Sequence, residues 1–290
     1  MTIPNEAFIK GNISKENIKY YTKKGFLIAE SLFDKSEIVS LMDESIKILR
    51  SKKGSFKGIL PHQNKNDLEV FSQYSAIHFP HKISKLIKSY ASDNRVASIL
   101  SRVVSNNVKC MQTMLFIKAP GKLGQSWHQD EYFIPTRDKS LTGAWIAIDD
   151  ATVENGCLWV IPESHREGTI VRRIKNTNQN FADELVSDLG KFKEENAIPV
   201  DVKSGSVVFF NGYLQHMSLK NKTKSSYRKA LVCHYMSATS MLPWNVGGRI
   251  NSTEDMRDIF MVAGNDPYDY KGVENLTEPF VRPANVTDIK

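Results

Sequence analysis

The sequence contains few cysteines and no long hydrophobic run, and each absence excludes a class of protein. Only three cysteines, Cys110, Cys157 and Cys233, occur among 290 residues. None forms a C-x-x-C pair and each lies in an apolar run, which is typical of buried thiols in a reducing compartment. No apolar run approaches the roughly 18 residues of a membrane span, and residues 1–30 lack the segments of a secretory signal. The sequence therefore predicts a soluble cytoplasmic protein.

The excess of basic residues also lacks the pattern of a nucleic-acid-binding surface. The chain has 39 Lys and Arg against 32 Asp and Glu, a net charge of +7, with basic clusters at 47–57 and 220–229. Aromatic residues do not alternate with these bases, as they do on a platform that stacks nucleobases, so the clusters are interpreted as solvated surface. We predict no nucleic-acid or membrane partner. An anionic small-molecule substrate is compatible with the charge.

The first hundred residues carry mainly helical patterns. Residues 14–24 are predicted to form a short helix and 25–33 a strand. A second helix is expected to start at Asp34, which is a suitable N-cap before an apolar stripe at helical spacing. Residues 54–66 are rich in Gly, Lys and Asn, which indicates a loop, and a third helix is predicted over 81–100.

From residue 107 the sequence changes to short β-branched and aromatic runs separated by turn residues, among them VKCMQTMLFIK, LTGAWIAID, SVVFFN and RKALVCHYMSA. Repeated short strands without helical patterns between them favour an antiparallel sandwich or jelly roll. The Asn-Gly pair of ENGC, at 154–157, favours a tight hairpin. The polar stretch 172–196 is predicted to be a partly helical insertion, and so long an excursion is a candidate lid.

No internal repeat or convincing linker divides the chain, so a single domain over residues 1–290 is predicted. Residues 1–106 are expected to form a mainly helical buttress with one strand, 107–240 the jelly-roll core, and 241–290 a C-terminal tail. The predicted fold class is mainly β with flanking α-helices. Whether the tail packs on its own core or on a neighbouring copy is left open, and so is the oligomeric state.

The stretch QSWHQDEYF, at 125–133, places His128 and Asp130 two residues apart, directly after a strand-like run. Successive side chains of an extended strand point to opposite faces, so these two share a face and Gln129 points away. A metal needs a further ligand, and the best candidate is His216 in LQHMSL, after an Asn-Gly turn. Two imidazoles and a carboxylate on one face of a metal leave positions open, as in non-haem Fe(II) oxygenases.

Arg228 opens the strand-like run RKALVCHYMSA, twelve residues after His216. Alternation places Arg228 and His234 on one strand face, with small apolar residues between them. A guanidinium that projects into an apolar interior needs an anion, and its fork matches a carboxylate, so this face is predicted to bind a dicarboxylate. His234 is interpreted as a core histidine bonded to a neighbour rather than as a fourth metal ligand.

Taken in order, these motifs resemble the phytanoyl-CoA dioxygenase family of Fe(II)/2-oxoglutarate-dependent oxygenases. The likeness runs through GFLIAESLF, MQTML, WHQDEYF, GAWIAIDDATVENGCLWVIPESH, LQHMSLKN and RKALVCHYMSA and covers most of residues 20–240. It implies a cupin-like double-stranded β-helix in which His128, Asp130 and His216 are the catalytic iron ligands. It also implies that Arg228 binds the distal carboxylate of 2-oxoglutarate.

The resemblance further implies a cosubstrate pocket and a reaction. Met114 and Trp145 match residues that line the pocket, and Gln112, two residues before Met114 on the same strand face, is added to them. Fe(II) is the implied cofactor, with 2-oxoglutarate and O2 as cosubstrates. Hydroxylation of a C–H bond of a small-molecule substrate would accompany the decarboxylation of 2-oxoglutarate to succinate and CO2. Related halogenases have a small residue in place of the carboxylate ligand, so Asp130 favours hydroxylation.

Two other kinds of function remain compatible with these residues. A metal-dependent cupin-type enzyme without oxidative chemistry would use the three ligands but would not need Arg228. A non-enzymatic binding module on the same scaffold would not need to keep inward polar groups that are unfavourable to bury. The motifs do not distinguish an acyl-CoA, an amino-acid derivative or a natural-product intermediate as the substrate.

Overall fold

The structure is a computed structural model that describes residues 3–53, 56–245, 248, 251 and 253–284. The helices are α1 (Lys15–Lys24), α2 (Lys35–Leu49), α3 (Asp67–Ser72), α4 (Lys85–Ala91), α5 (Asn94–Val103) and α6 (Asp130–Phe133). The strands are β1 (Phe8–Ile9), β2 (Phe26–Ala29), β3 (Tyr74–His78), β4 (Val108–Lys118), β5 (Gln125–His128), β6 (Thr142–Ala147), β7 (Leu158–Val160), β8 (Arg173–Lys175), β9 (Leu185–Ser187), β10 (Ile198–Val200), β11 (Val207–Asn211), β12 (His216–Ser218), β13 (Arg228–Ser237), β14 (Phe260–Ala263) and β15 (Phe280–Pro283).

The two N-terminal helices begin where the sequence predicts, because each starts at a capping box. The side chains of Ser14 and Asp34 accept hydrogen bonds from backbone N–H groups three residues further on. The side chain of that third residue, Asn17 or Glu37, accepts a bond in turn from the backbone N–H of the cap. The strand predicted over 25–33 is shorter than expected, since β2 ends at Ala29. Ser31 then adopts a left-handed φ of 48°, which turns the chain toward α2.

The third predicted helix is wrong in its extent. The chain forms two helices, α4 and α5, instead of one helix over 81–100. Asp93 separates them, because its carboxylate accepts hydrogen bonds from the backbone N–H of Arg95 at 2.8 Å and from its Nε at 2.9 Å. A side chain that caps the start of a new helix in this way competes with continuation of the previous one.

Two facing β-sheets make up the core of the described part of the chain. The large sheet has the order β1-β2-β11-β6-β13-β4-β3-β15, with β14 also paired to β4, and the small sheet has the order β10-β7-β12-β5. Inward side chains of both sheets, such as Trp145 and Val232 from one and Leu158 and Val200 from the other, share an apolar layer. The other face of the large sheet packs on α2, α4 and α5. The predicted mainly β fold with flanking helices is confirmed, and no pairing among the described strands closes the sheets into a barrel.

Two local predictions beyond residue 107 are wrong. The Asn155-Gly156 turn does not join a hairpin, because the strand before it, β6, belongs to the large sheet and the strand after it, β7, to the small one. The insertion 172–196 is a hairpin of β8 and β9, and its helical part is confined to Glu194–Asn196. The asparagine side chains at 176 and 178 each accept a bond from the backbone N–H two residues on, at 2.9 and 3.0 Å. Such local turns compete with helix formation.

The C-terminal segment packs on the large sheet of its own chain. Strand β14 pairs with β4, and β15 pairs with β3. Beneath it, the fully buried Lys109 donates from Nζ to the carbonyl of Ser240 at 2.7 Å. None of the described helices combines the length and apolar character needed to cross a bilayer. A single domain over 1–290 with a tail from 241 stays a prediction.

Candidate active site

The three side chains predicted as metal ligands come together in the structure. His128 ends β5 and His216 begins β12, and the two residues are register partners across this antiparallel pair. Asp130 follows an extended Gln129, with φ −121° and ψ 130°, as the first residue of α6. One ligand atom from each of the three lies within 4.8 Å of the others, and all three residues are buried. Their geometry is suited to holding one metal ion.

Both imidazoles are oriented to bind a metal through Nε2. Nδ1 of His128 lies 2.7 Å from the carbonyl oxygen of Ser126, and Nδ1 of His216 lies 3.0 Å from that of Leu214. A carbonyl only accepts, so each Nδ1 carries the proton and each Nε2 keeps a free lone pair. Both Nε2 atoms lie 3.6 Å from Oδ1 of Asp130. Metal-binding histidines are usually supported by such outer bonds.

The protonation states of the three groups also suit a metal. Burial, followed by the proximity of His216, lowers the pKa of His128 to about 3. Burial opposes the charge of Asp130, but His216, His234 and His128 outweigh it, so the pKa of this carboxyl lies below its usual range. At neutral pH the site therefore presents an unprotonated imidazole nitrogen and an ionised carboxylate, which are the forms that bind metals.

Gln129 points away from the ligands, as predicted, and ties their backbone to neighbouring segments. Its amide nitrogen donates to the carbonyls of Thr169 at 3.0 Å and Tyr213 at 2.8 Å. Its amide oxygen accepts from the backbone N–H of Val171 at 2.9 Å. The residue between two of the candidate ligands thus anchors the chain that leads into the hairpin β8–β9.

Arg228 lies on the inner face of β13, as predicted. Its side chain is buried, its Nε donates to the carbonyl of Gly156 at 3.2 Å, and its guanidinium carbon lies 5.5 Å from the ring centroid of Trp145. Burial lowers its pKa to about 10, so the group remains charged at neutral pH. No ion pair joins Arg228 to a carboxylate among the described residues. A buried guanidinium is unfavourable without an anion, so this one has a free binding capacity.

A second buried cation, Lys118, lies opposite Arg228 and is absent from the predicted set. The two residues are register partners on β4 and β13. Nζ of Lys118 donates to Oγ of Ser218 at 2.8 Å and to the carbonyl of Leu219 at 2.6 Å. Burial and the charge of Arg228 lower its pKa well below the ordinary value. Met114 and Lys118 are four residues apart on one strand, so alternation places both side chains on the inner face. The inward position of Lys118 could therefore have been predicted from the sequence.

The residues predicted to line the cosubstrate pocket share this inner face. Met114 and Trp145 are both register partners of Val232, one on each side of β13. Gln112 is the register partner of His234, whose Nε2 lies 3.1 Å from Oδ2 of Asp130. The part that these three residues take in binding a cosubstrate stays a prediction.

One edge of the site is formed by three partly exposed side chains, those of Tyr132, Phe133 and Arg173. We call this edge the mouth. The two aromatic side chains belong to α6 and are 45% and 44% exposed. The Phe133 ring centroid lies 6.1 Å from that of His128. The guanidinium carbon of Arg173, on β8, lies 5.1 Å from both aromatic centroids. The exposure of both rings favours a role at the entrance over closure of the core.

Three other histidines, His78, His81 and His165, lie outside the ligand cluster. The ring of His78 stacks on Phe280 with centroids 4.1 Å apart, and Nδ1 of His81 lies 2.8 Å from Oγ1 of Thr113. Burial lowers the pKa of both histidines to about 4. His165 contacts a backbone carbonyl of α1 through Nε2, at 3.1 Å. These rings are packed in their neutral form, not arranged around a metal.

The sequence is similar to a family of known oxygenases over most of its length. The family model described as phytanoyl-CoA dioxygenase (PhyH) matches residues 21–230. The chain is 26% identical over 261 residues to a phytanoyl-CoA dioxygenase of Arabidopsis thaliana, with 79% of this chain and 91% of that protein covered. It is 27% identical over 241 residues to the peroxisomal phytanoyl-CoA dioxygenase of Homo sapiens, with 78% and 69% covered.

Solved structures share the fold at low sequence identity. The α-ketoglutarate-dependent carbocyclase SnoK superposes with a TM-score of 0.66 at 20% identity, covering 87% of this chain and 97% of that one. EctD from S. alaskensis with 2-oxoglutarate and 5-hydroxyectoine gives 0.63 at 21% identity, covering 79% and 78%. The epimerase SnoN in complex with Fe3+, α-ketoglutarate and nogalamycin RO gives 0.58 at 15% identity, covering 78% and 84%. These likenesses establish the cupin-like fold.

The matched segment includes the three candidate ligands and Arg228. Two imidazole nitrogens and one carboxylate oxygen suit ferrous iron, and a guanidinium without a carboxylate partner among the described residues suits a dicarboxylate. The donor groups that this chain presents therefore agree with the cofactor and cosubstrate of the matching family. The chain belongs to the phytanoyl-CoA dioxygenase family and is a 2-oxoglutarate-dependent non-haem iron oxygenase.

Proposed function

We propose that the protein hydroxylates an unactivated C–H bond of a small molecule while 2-oxoglutarate is decarboxylated to succinate and CO2. The observation that carries this proposal is the placement of a buried, unpaired Arg228 on the inner face of the sheet that also faces the three candidate ligands. A metal centre alone would serve many reactions. A guanidinium that requires an anion beside that centre favours a dicarboxylate cosubstrate.

In this proposal His128, Asp130 and His216 bind Fe(II) through the two Nε2 atoms and Oδ1, the atoms that converge in the structure. The ferrous ion, when bound, supplies the O2-dependent oxidation chemistry. The bonds from both Nδ1 atoms to backbone carbonyls hold the rings in the tautomer that binds a metal. Burial keeps the three ligand groups away from bulk water.

Arg228 and Lys118 bind the distal carboxylate of 2-oxoglutarate in the same proposal. The two cations project from neighbouring strands, and Ser218 Oγ lies 2.8 Å from Lys118 Nζ. One carboxylate here would offset the buried charge of Arg228, favour the protonated form of Lys118 and give both side chains a further acceptor. The ring of Trp145 lies beside Arg228 and would form one side of the cosubstrate pocket. The keto-acid end would then point along the inner face toward the metal ligands.

Asp130 supports hydroxylation over halogenation, because its carboxylate occupies the ligand position that a halide would need. Two proteins of similar fold are described as a carbocyclase and an epimerase, and these names denote reactions other than hydroxylation. A fold does not fix the reaction. Product analysis is therefore part of the test: with isotopically labelled O2, hydroxylation places one oxygen atom in the product and one in succinate. A product formed without label would contradict hydroxylation.

The cosubstrate can be tested before the substrate is known. Anaerobic addition of 2-oxoglutarate to the Fe(II)-loaded protein should produce a weak visible charge-transfer band. Arg228→Gln should lower the affinity for 2-oxoglutarate without loss of metal binding, and His128→Ala should lower metal binding. Arg102→Gln, on the exposed side of α5, is the matched control for loss of one positive charge. Metal binding without any response to 2-oxoglutarate would favour a cupin-type enzyme without oxidative chemistry.

A further inference from the structure

Arg173 differs from the other arginines of the described chain in its position at the mouth. Its side chain lies against two exposed aromatic rings, Tyr132 and Phe133, next to the candidate ligand His128. Arg173 is thus a cation that a substrate would meet on its way to the metal.

The hydrogen-bonding capacity of Arg173 is largely unused by the protein. Its Nη2 donates to the carbonyl of Leu185 at 2.6 Å, across the hairpin. Its Nε is buried and has no hydrogen-bond partner. Within the described residues no carboxylate lies within ion-pair distance of this guanidinium. The guanidinium lies against both aromatic rings, and its N–H groups other than the one bonded to Leu185 have no acceptor among the described residues.

The two strands of the hairpin add a second positive charge near Arg173, whereas the acidic residues Asp183, Glu184 and Asp188 lie outside the strands. Lys175, two residues further along β8, lies on the same strand face as Arg173. The cross-strand partners of these two residues are Leu185 and Ser187, neither of which is acidic. This face of the hairpin therefore presents two cations and no anion from its own strands.

We propose that Arg173 binds an oxyanion of the substrate, a carboxylate or a phosphate group, and so holds the rest of the substrate over the metal site. This inference rests on the proposed function and names its substrate class: a small molecule with an anionic group at one end. The planar guanidinium binds two oxygens of such a group at once, and the rings of Tyr132 and Phe133 offer apolar surface to the adjoining part of the substrate. Arg228 is reserved for the cosubstrate, so the two arginines bind two different anions.

The test uses the full chain loaded with Zn(II) and excess 2-oxoglutarate, so that Arg228 is occupied and no turnover occurs. The probes are 3-phenylpropanoate, phenyl phosphate and the neutral 3-phenylpropanamide, followed by ligand-observed NMR. We expect at least one anionic probe to bind about tenfold or more tightly than the amide, the preference of a charge-assisted hydrogen bond. The preferred anion distinguishes a carboxylate from a phosphate substrate.

Arg173→Gln should remove the preference for the anion, and Arg173→Lys should retain only part of it because the fork is lost. Arg172→Gln is the matched control, since Arg172 is the exposed neighbour in the same hairpin and carries the same charge. The affinity of Arg173→Gln for 2-oxoglutarate should be unchanged, so failure at the mouth and failure of the cosubstrate site are distinguishable. The proposal is overturned if the wild type shows no anion preference, if Arg173→Gln keeps it, or if Arg172→Gln loses as much.

Discussion

Nε2 of His234 lies 3.1 Å from Oδ2 of Asp130, whereas the candidate metal ligands His128 and His216 face the other carboxylate oxygen, Oδ1. One carboxylate oxygen therefore faces the two candidate ligands, and the other accepts a hydrogen bond from His234. Because a carboxylate oxygen accepts, Nε2 of His234 is the donor, and its buried Nδ1 has no hydrogen-bond partner among the described residues. The histidine interpreted from the sequence as bonded to a neighbour is bonded to a candidate ligand.

His234→Leu should weaken metal binding about 10- to 100-fold, the usual effect of removing an outer partner of a metal ligand. His234→Gln should restore much of the affinity, because its amide can donate from nearly the same position. Titration with Mn(II) or Fe(II) under anaerobic conditions measures both effects. His165→Gln, which alters a histidine outside the cluster, is the control. Equal affinities for wild type and His234→Leu would show that Asp130 needs no support.

Stability of the metal-free protein should fall as the pH is lowered from about 6.5 to about 4.5. His78 and His81, with pKa values of about 4, and His128, at about 3, stay neutral in the folded state while their unfolded forms take up protons. Each can remove at most about 1.4 kcal/mol of unfolding free energy per pH unit. Burial raises the pKa of Glu131 to about 7, so this one group contributes stability that is lost as pH rises.

His165, whose pKa burial also lowers, acts in the same direction, so four imidazoles oppose one carboxyl group in this pH range and the net slope should follow the imidazoles. Urea unfolding at several pH values measures it. His81→Gln should make the dependence on pH shallower, and Glu131→Gln should make it steeper. A stability that is constant or rises toward pH 4.5 would contradict the burial of these rings as neutral groups.

Lys118→Met should lower the affinity for 2-oxoglutarate about tenfold, since a hydrogen bond to a charged group contributes about 1.5–3 kcal/mol. Methionine keeps the length of the side chain and removes the charge. The charge-transfer band provides the titration, and metal affinity should not change. Lys203→Met, at a side chain that is 78% exposed, is the control. Unchanged affinity for 2-oxoglutarate would mean that Lys118 does not bind the cosubstrate and only stabilises the structure through its hydrogen bonds to Ser218 and Leu219.

Gly156→Ala should impair both stability and cosubstrate binding. Gly156 has φ 86°, and an added Cβ would lie 2.3 Å from the carbonyl oxygen of Leu219 and 3.1 Å from Nζ of Lys118. Its own carbonyl accepts from Arg228. Backbone strain at such a φ costs about 1–3 kcal/mol. Movement of Leu219 would displace Lys118, and movement of Gly156 itself would displace Arg228.

Gly121→Ala separates these two effects. Gly121 has φ 77°, but an added Cβ would meet nothing within 4 Å. This variant should lose stability through strain and keep its affinity for 2-oxoglutarate. Thermal unfolding and the charge-transfer titration, applied to both variants, distinguish strain from displacement. Equal affinities in the two alanine variants would mean that the turn at Gly156 does not position the cations.

Features set by a few neighbouring residues were predictable from the sequence. The caps Ser14 and Asp34 fix two helix starts, and strand alternation correctly places His128 beside Asp130 and turns Gln129 away. Alternation also leads to Lys118, whose inward position was available from the same run that contains Met114. The family resemblance then indicated that these separate residues belong to one site.

Features that depend on distant pairing were not predictable in this way. The apolar spacing of a helix continues across Asp93, although that residue begins a new helix. The turn at Asn155-Gly156 has the residues of a hairpin, but its flanking strands find partners in different sheets. The stacking of Arg173 on α6 depends on how a polar hairpin folds back over the ligands, and no neighbour of Arg173 in sequence indicates it.

The amide of Gln129 is one of several bonds that tie the hairpin to the candidate ligands. It holds Thr169 and Val171, which immediately precede the hairpin, to the backbone that carries two of the candidate ligands. Further along, the carboxylate of Asp183 accepts a bond from the backbone N–H of Ser126 at 2.6 Å, and that of Glu194 accepts one from Nε1 of Trp127 at 3.0 Å. A change of substrate selectivity through this hairpin would therefore have to leave these anchoring side chains in place, because replacing them would disturb the strand that ends at His128.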